Sequence, residues 1–174
     1  PALSALELTD YRANIIARHN GVVDLKGSGT MSFSHTGNQE WEMTLDVKGG
    51  PVKSFERSTG KIQQNSYLPE TYQRRTKILF VKENIDWAFD WNANTVTGTV
   101  DKKDYQHELN EFIHDPFSYQ IPLRMGLMQG ETSFQFSYLR WNKPNELHFE
   151  VIGEELLTLD SGRVHTLIIK QTKP

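Results

Sequence analysis

The sequence predicts a mainly β protein, an antiparallel meander that forms a barrel or half-barrel. Two observations support this: short segments alternate apolar and polar residues, and turn residues follow each segment within about ten positions. A third observation is that one segment, about 115–129, departs from the β pattern and favours a short helix. The 174 residues fit one domain, which we expect to span 1–174.

Strands are predicted throughout the first two-thirds of the chain. Apolar and polar residues alternate over 11–18, ahead of turn residues at 19–21, and again over 23–33. The clearest half-buried strand, 41–47, has apolar residues at every odd position and polar residues between them. Further strands are predicted near 52–58, 61–67, 71–82, 85–91 and 95–101, with a hairpin loop at 92–94.

The alternation returns after residue 130. Phe134, Phe136 and Tyr138 share one side of a predicted strand, and alternate residues over 147–151 are apolar as well. Turn residues at 160–162 precede a last apolar strand. Because no repeat or linker separates these segments, we expect a single domain with antiparallel pairing.

The segment 115–129 is predicted to be one short, kinked helix packed on the sheet. Phe117, Ile121, Met125 and Met128 would fall on one helical face. Asp115 is a good N-cap residue, and Pro116 suits the first helical position, where a missing N–H costs nothing. Pro122 removes a backbone hydrogen bond and should kink the helix. The segment also alternates with period two, so a strand is the alternative interpretation.

Composition narrows the class of protein. Nineteen basic against 22 acidic residues give a net charge of −3, which offers no general field to attract nucleic acid. The chain has no cysteine, which excludes disulfides and thiolate ligands. No apolar run reaches the roughly 20 residues that a membrane-spanning helix needs. Residues 1–5 are typical of the end of a bacterial signal peptide, so we expect export to the periplasm after signal cleavage; an arbitrary chain boundary is the alternative.

One stretch concentrates titratable residues. On a helix, His107, Glu111 and His114 would share one face, as metal ligands could. The zinc-protease motif, however, needs its second histidine one turn after the first, where this chain has Glu111. On a strand, which the preceding residues favour, His114 points away from the other two. We therefore expect a polar strand and a helix cap rather than a metal centre or a hydrolase.

No catalytic set is predicted elsewhere. Ser118 is not part of a Gly-x-Ser-x-Gly elbow, and a serine in the first turn of a helix usually bonds to the backbone. Glu154 and Glu155 are neighbours, so on a strand they point to opposite faces. Because the sequence contains no P-loop and no glycine-rich dinucleotide motif, we expect no cofactor.

Arg124 is a charge in an otherwise apolar segment. We expect either an ion pair with Asp90, Glu154 or Glu155, or recognition of an anion together with Arg74 or Arg75. Aromatic residues at strand spacing usually form core, but in an open barrel they can also line a ligand cavity. On this interpretation the predicted ligand-binding residues are Trp41, Arg74, Trp87, Trp91, Tyr119 and Arg124.

Four blocks carry a resemblance to a known family: Pro69-Glu-Thr-Tyr-Gln-Arg-Arg75, Phe89-Asp-Trp91, His114-Asp-Pro-Phe-Ser-Tyr-Gln-Ile-Pro-Leu-Arg124 and Phe149-Glu-Val-Ile-Gly-Glu-Glu155. Over nearly its whole length the chain resembles a family of uncharacterised proteins exported by Gram-negative bacteria, a domain of unknown function. The resemblance implies an export signal, a periplasmic location and an antiparallel β fold with one short helix near Asp115. The family has no established catalytic residue, so the resemblance assigns none to this chain. Two departures are Pro122, where the family more often has a helix former, and the end at Pro174, after which one or two further strands would be expected.

Two hypotheses of function follow. The first is a non-enzymatic periplasmic binding or carrier module that holds a lipid or another apolar or amphipathic envelope molecule on a curved sheet. The second is a structural or protein-interaction module that uses a sheet edge or the helix surface. An enzyme or metal site at His107, Glu111 and His114 ranks third. The sequence does not indicate an oligomeric state.

Overall fold

The computed structural model describes residues 8–19, 25–141, 143–159 and 162–172. Within these ranges the chain forms eleven strands and one helix, so the prediction of a mainly β protein with one short helix is confirmed. Neighbouring strands pair antiparallel, and the sheets do not close, which agrees with the half-barrel form of the prediction. Residues 1–5 and parts of the predicted turns at 19–21 and 160–162 lie outside the described residues.

The first sheet is a meander in which each strand pairs with its neighbours in sequence. This topology needs only short hairpin turns, and asparagine supplies the positive φ at two of them, Asn65 and Asn94. The strands are β1 (Tyr11–His19), β2 (Leu25–Gly37), β3 (Glu40–Gly49), β4 (Val52–Gln63), β5 (Ser66–Ile78), β6 (Val81–Asp90), β7 (Thr95–Val100) and β8 (Lys103–Glu108).

A helix and a second sheet follow. The helix is α1 (Gln120–Met128), and the sheet has the order β11-β10-β9. β9 (Ser133–Arg140) pairs only with the first half of β10 (Lys143–Leu159). The second half of β10 pairs with β11 (Gly162–Thr172) alone, so these two strands extend beyond β9 as a two-stranded ribbon.

The core lies between the inner face of the first sheet and the segment that follows β8. The strict alternation read from the sequence places every second residue on this inner face, where side chains are removed from water. Residues after β8 and one residue of β9 close the core from the other side. The buried apolar cluster consists of Leu8, Phe33, Trp41, Met43, Tyr67, Tyr72, Ile85, Trp87, Phe89, Val96, Leu109, Ile113, Phe117, Ile121 and Leu139.

The segment 109–115 joins the two sheets. The Leu109 N–H donates to the Asn94 carbonyl at 2.8 Å, which holds the segment to the turn between β6 and β7. Further on, the His114 N–H donates to the Ser137 carbonyl at 2.9 Å, and the His114 carbonyl accepts from the Leu139 N–H at 2.8 Å. His114 is therefore fixed to β9 through its backbone, and its side chain has a defined position.

The helix is shorter than predicted. Residues 116–119 form a turn, and the helix begins at Gln120 instead of at Pro116. Asp115 does act as a cap, but it caps this turn: its Oδ1 accepts the backbone N–H groups of Phe117 and Ser118 at 2.7 and 2.8 Å. Because the helix starts late, Pro122 falls in its first turn, where no intrahelical partner is lost.

Two strand boundaries also differ from the prediction. The segments 52–58 and 61–67 were expected to be separate strands, but β4 runs unbroken through Gly60, where a bulge shifts its register with β5. The predicted strand 71–82 contains the turn between β5 and β6 at Leu79, which has a φ of 56°. At both positions the residue type is misleading. Glycine at 60 is typical of a turn but lies within a strand, and leucine at 79 is typical of a strand but lies in a turn.

Gly60→Ala should destabilise the fold because of this bulge. A Cβ at residue 60 would overlap the backbone carbonyl of Leu68 and lie 2.6 Å from Trp41 Cζ2. We expect a loss of at least about 2 kcal/mol in the free energy of unfolding, measured by urea denaturation. Gly153→Ala is the matched control, since its Cβ would meet only Ile168 Cδ1 at 3.8 Å. Equal stability of the two variants would contradict the packing of Trp41 over Gly60.

Candidate functional site

An open cleft, which we call the α1 cleft, lies beside the helix. It has a volume of about 560 Å³. One wall comes from the helix, another from the start of β5, and the floor from β9 and the segment before Asp115. The lining residues are Asn65, Ser66, Tyr67, Leu68, Phe112, His114, Pro122, Met125, Gly126, Gln129, Glu131, Phe134 and Phe136.

The floor of the α1 cleft is a chain of aromatic contacts. The His114 ring meets the ring of Phe112 edge to face at 4.7 Å and that of Phe136 at 5.8 Å. Phe112 stacks on Trp91 at 5.3 Å, and Phe136 stacks on Phe134 at 6.2 Å. These rings brace one another, so the floor is a preformed apolar surface rather than a set of mobile side chains.

His114 is the titratable group in this floor. Its side chain is 6% exposed, and Nδ1 has no hydrogen-bond partner among the described residues. Burial lowers the pKa of the imidazole from 6.5 to about 4, because a charged ring would lose its hydration. At neutral pH the ring is therefore uncharged, and the floor behaves as an aromatic surface.

Asp115, the next residue, fixes the helix to the sheet. Its carboxylate is fully buried, and Ser58 on β4 donates to its Oδ2 at 2.5 Å while the turn of 116–119 donates to its Oδ1. Burial raises the pKa of Asp115 to about 6, although the hydrogen bonds from Ser58, Ser118 and Phe117 lower it. A single carboxylate thus ties the first sheet to the start of α1, which forms a wall of the cleft.

A second, polar depression of about 380 Å³ lies nearer the turn between β5 and β6. Arg74 is one of its lining residues, and the Arg74 Nε lies 3.2 Å from Glu83 and 3.8 Å from Glu56. Glu56 also accepts a hydrogen bond from the Tyr72 hydroxyl at 2.8 Å, and burial raises the pKa of this carboxyl. The charge of Arg74 is therefore already matched by two carboxylates, whereas the second cation of the lining, Arg140, lies over the Trp141 ring at 4.8 Å.

The predicted ligand-binding residues do not form one site. Trp41 and Trp87 lie in the core. Arg74 and Tyr119 both line the polar depression. Trp91 stacks on Phe89 and Phe112 and donates a hydrogen bond to the Pro69 carbonyl. None of the six residues Trp41, Arg74, Trp87, Trp91, Tyr119 and Arg124 lines the α1 cleft. A binding role for them stays a prediction.

Arg124 takes a position that the sequence did not indicate. Its guanidinium carbon lies 4.3 Å from the centre of the Tyr11 ring and 6.0 Å from that of Phe33. Asp90 instead accepts the backbone N–H groups of Asn92 and Ala93 in its own turn. Arg124 therefore contacts aromatic rings instead of the ion-pair partners we considered.

The other candidate residues are also separated. His107 lies on β8 opposite Val96, and His114 is buried on the bridge to β9. In the part of the chain that the structure describes, no three His, Asp or Glu side chains are grouped as metal ligands. Ser118 is 1% exposed, so its hydroxyl is not accessible to a substrate.

The residues of the α1 cleft were missed because they come from four separate parts of the sequence. Phe134 and Phe136 were recognised as strand residues, but no local signal shows that β9 passes beneath His114. The pairing of His114 with Tyr138 joins positions that are distant in the chain. Only the aromatic content of 112–119 and 134–138 hinted that the two segments meet.

Comparison with known protein families gives one match. A family model described as "Protein of unknown function (DUF3108)" matches residues 10–174, which is nearly the whole chain. The chain belongs to this family. No curated protein and no solved structure matches it. Among the described residues of this DUF3108 protein, no helix is long and apolar enough to cross a membrane.

The stability of the protein should depend on pH through His114 and Asp115 in opposite directions. The folded pKa of His114 is lower than the unfolded one, so its contribution to stability rises with pH between about 4 and 6.5. The folded pKa of Asp115 is higher than the unfolded one, so its contribution falls between about 3.8 and 6. Each change amounts to about 3 kcal/mol.

Urea unfolding of His114→Phe and Asp115→Asn across this pH range separates the two groups. Relative to the wild type, His114→Phe should lose stability as pH rises, and Asp115→Asn should gain it. Asparagine keeps an oxygen to accept the two backbone N–H groups, so Asp115→Asn should fold. Parallel curves for both variants would show that these side chains are not buried as the structure places them.

Proposed function

We propose that this protein is a non-enzymatic binding or carrier module for an apolar or amphipathic molecule, which it holds in the α1 cleft. The observation that carries the proposal is a preformed aromatic floor in a cleft of about 560 Å³. Ligand sites in proteins have volumes of roughly 300–1,000 Å³ and mainly apolar walls with a few polar groups. The α1 cleft has both properties.

The polar groups of the cleft suit an amphipathic molecule. Phe136, Met125 and Leu68 offer an apolar surface, whereas Asn65 and Gln129 are exposed polar residues of the lining. The apolar part of a ligand would displace water from the floor, and its polar end would stay hydrated near the exposed amides. This arrangement supports a molecule with an apolar body and a polar end.

The charges of the lining favour a neutral ligand. The residues that line the cleft include no lysine or arginine, and the imidazole of His114 is uncharged at neutral pH because burial lowers its pKa. Glu131 is the acidic residue of the lining. An anionic head group would therefore gain no ion pair and would meet the carboxylate of Glu131.

The cell envelope of a Gram-negative bacterium is the proposed location. The support is the resemblance of four sequence blocks to those of exported proteins. Pulse labelling of the full-length precursor tests this part separately: a shortened mature form in the periplasmic fraction is expected. An uncleaved precursor in the cytoplasm would refute the location and would leave the cleft proposal standing.

Ser66→Trp should block the cleft without disturbing the core. Ser66 is exposed and lines the cleft, so an indole at this position would occupy ligand space. We expect binding of the neutral dye Nile red, followed by fluorescence titration, to weaken by at least about tenfold, or about 1.4 kcal/mol. Neutral monoolein should displace the dye at lower concentration than oleate.

Thr97→Trp is the control for this experiment. Thr97 is exposed on β7 and lies outside the lining of the cleft. Its substitution should leave dye binding unchanged. Equal binding by wild type, Ser66→Trp and Thr97→Trp would place the dye elsewhere and refute the α1 cleft as the binding site.

A protein-interaction module is the second candidate, and the two-stranded ribbon favours it. Leu156, Leu159 and Leu167 on this ribbon are exposed, and a two-stranded ribbon is marginally stable on its own. We infer that a second copy of the chain would cover it. Light scattering over a range of concentrations should then show dimers that Leu156→Ser/Leu167→Ser abolishes. A monomer at all concentrations would refute this candidate.

A further inference from the structure

The turns of the first sheet carry opposite chemistry at its two ends. In a meander, alternate turns lie at the same end, so the turns after β3, β5 and β7 share one end, which we call the basic rim. At the tip of the turn after β5, Phe80 is 97% exposed and the adjacent Val81 is 72% exposed. Large apolar side chains so fully exposed have nothing to pack against in the described part of the fold.

A row of lysines lies directly behind this tip. Lys53 on β4 pairs with Lys77 on β5, and Lys77 pairs with Lys82 on β6, so the three lie side by side on one face. Lys48 on β3 continues the row opposite Lys53. Across four strands the row extends roughly 14 Å.

Most of this row has no charge partner. Lys48 is paired with Asp46 at 3.0 Å. Among the described residues, Lys53, Lys77 and Lys82 form no ion pair, although all three are exposed. Like charges directly opposite one another destabilise a sheet. An anionic surface across the row would relieve this repulsion.

The other end of the sheet is acidic. Glu40, Glu70, Asp90 and Glu108 lie near the turns or strand ends there, and within the described part of the chain only Glu70 forms an ion pair, with Lys61 at 2.7 Å. At the turn after β7, Asp101 and Asp104 offset Lys102 and Lys103, so the positive excess of the basic rim comes from the lysine row. The net charge of −3 therefore hides an asymmetry between the two ends. The molecule has a long-range preference for presenting the basic rim, rather than its opposite end, to a negative surface.

We propose that the basic rim docks on an anionic lipid bilayer, with Phe80 and Val81 inserted among the lipids and the lysine row on the head groups. The chemistry is that of interfacial binding, in which an apolar tip and adjacent cations act together. A soluble acidic protein or a nucleic acid would contact the lysines but would leave Phe80 exposed to water. This proposal does not depend on the α1 cleft, which opens beside the turn between β4 and β5 at the other end.

Vesicle flotation tests the electrostatic half of the proposal. The full chain should float with vesicles of phosphatidylcholine and phosphatidylglycerol and remain in solution with phosphatidylcholine alone. Lys53→Gln/Lys77→Gln/Lys82→Gln should weaken binding at least about tenfold, because each lysine near the surface adds to the attraction. Arg12→Gln/Arg57→Gln/Lys61→Gln removes the same charge from exposed positions in the middle and at the opposite end of the first sheet, and it should bind like the wild type.

A site-specific probe tests the insertion. The chain has no cysteine, so Phe80→Cys and Asn92→Cys each give one site for an environment-sensitive dye. Asn92 is exposed in a turn at the acidic end. The dye at residue 80 should shift to the blue on anionic vesicles, and the dye at residue 92 should not. Circular dichroism confirms folding of each variant.

Three results would overturn the proposal. The first is no flotation with anionic vesicles, and the second is equal flotation of the two triple variants. The third is a probe at residue 80 that stays in water while the protein floats, which would mean an electrostatic contact that does not insert Phe80.

Discussion

A buried carboxylate holds the helix of this protein against its sheet, and the candidate site depends on that contact. Asp115 accepts hydrogen bonds from Ser58 on β4 and from the turn that precedes α1. Removing a carboxylate from water is unfavourable, and these donors offset part of the cost. Because α1 forms one wall of the cleft and His114 lies in its floor, a loss of this contact would move both surfaces at once.

The antiparallel meander is interrupted after β8, and the Asp115 carboxylate helps to hold the interrupting segment on the sheet. The chain leaves β8, bridges to β9 through the backbone of His114, turns at 116–119 and only then enters the helix. Each step satisfies backbone groups that would otherwise be buried without partners. The helix is short, and its position comes from this anchoring and from the burial of Phe117 and Ile121.

The fold was largely predictable from the sequence because strand alternation and asparagine turns are local signals. The errors occur where local signals conflict with the tertiary structure: Gly60 is in a bulge instead of a turn, and the bulky Leu79 takes a positive φ. The site was not predictable in the same way. Tryptophans suggested a ligand surface, but Trp41 fills the core, and the cleft is built from residues that only the pairing of His114 with β9 brings together.

The meander also separates the two proposed surfaces. The α1 cleft lies beside the turn between β4 and β5, and the basic rim lies at the end where β5 turns into β6. Together the two proposals imply that a docked molecule presents its cleft away from the lipid surface.

Hydrogen–deuterium exchange with and without monoolein tests the central claim most directly, because it reports every backbone amide of the chain. The account predicts that the neutral ligand slows exchange at 112–114, in α1 and in β9, and leaves β1 and the basic rim unchanged. Unchanged exchange around the α1 cleft, or protection confined to another part of the molecule, would contradict it.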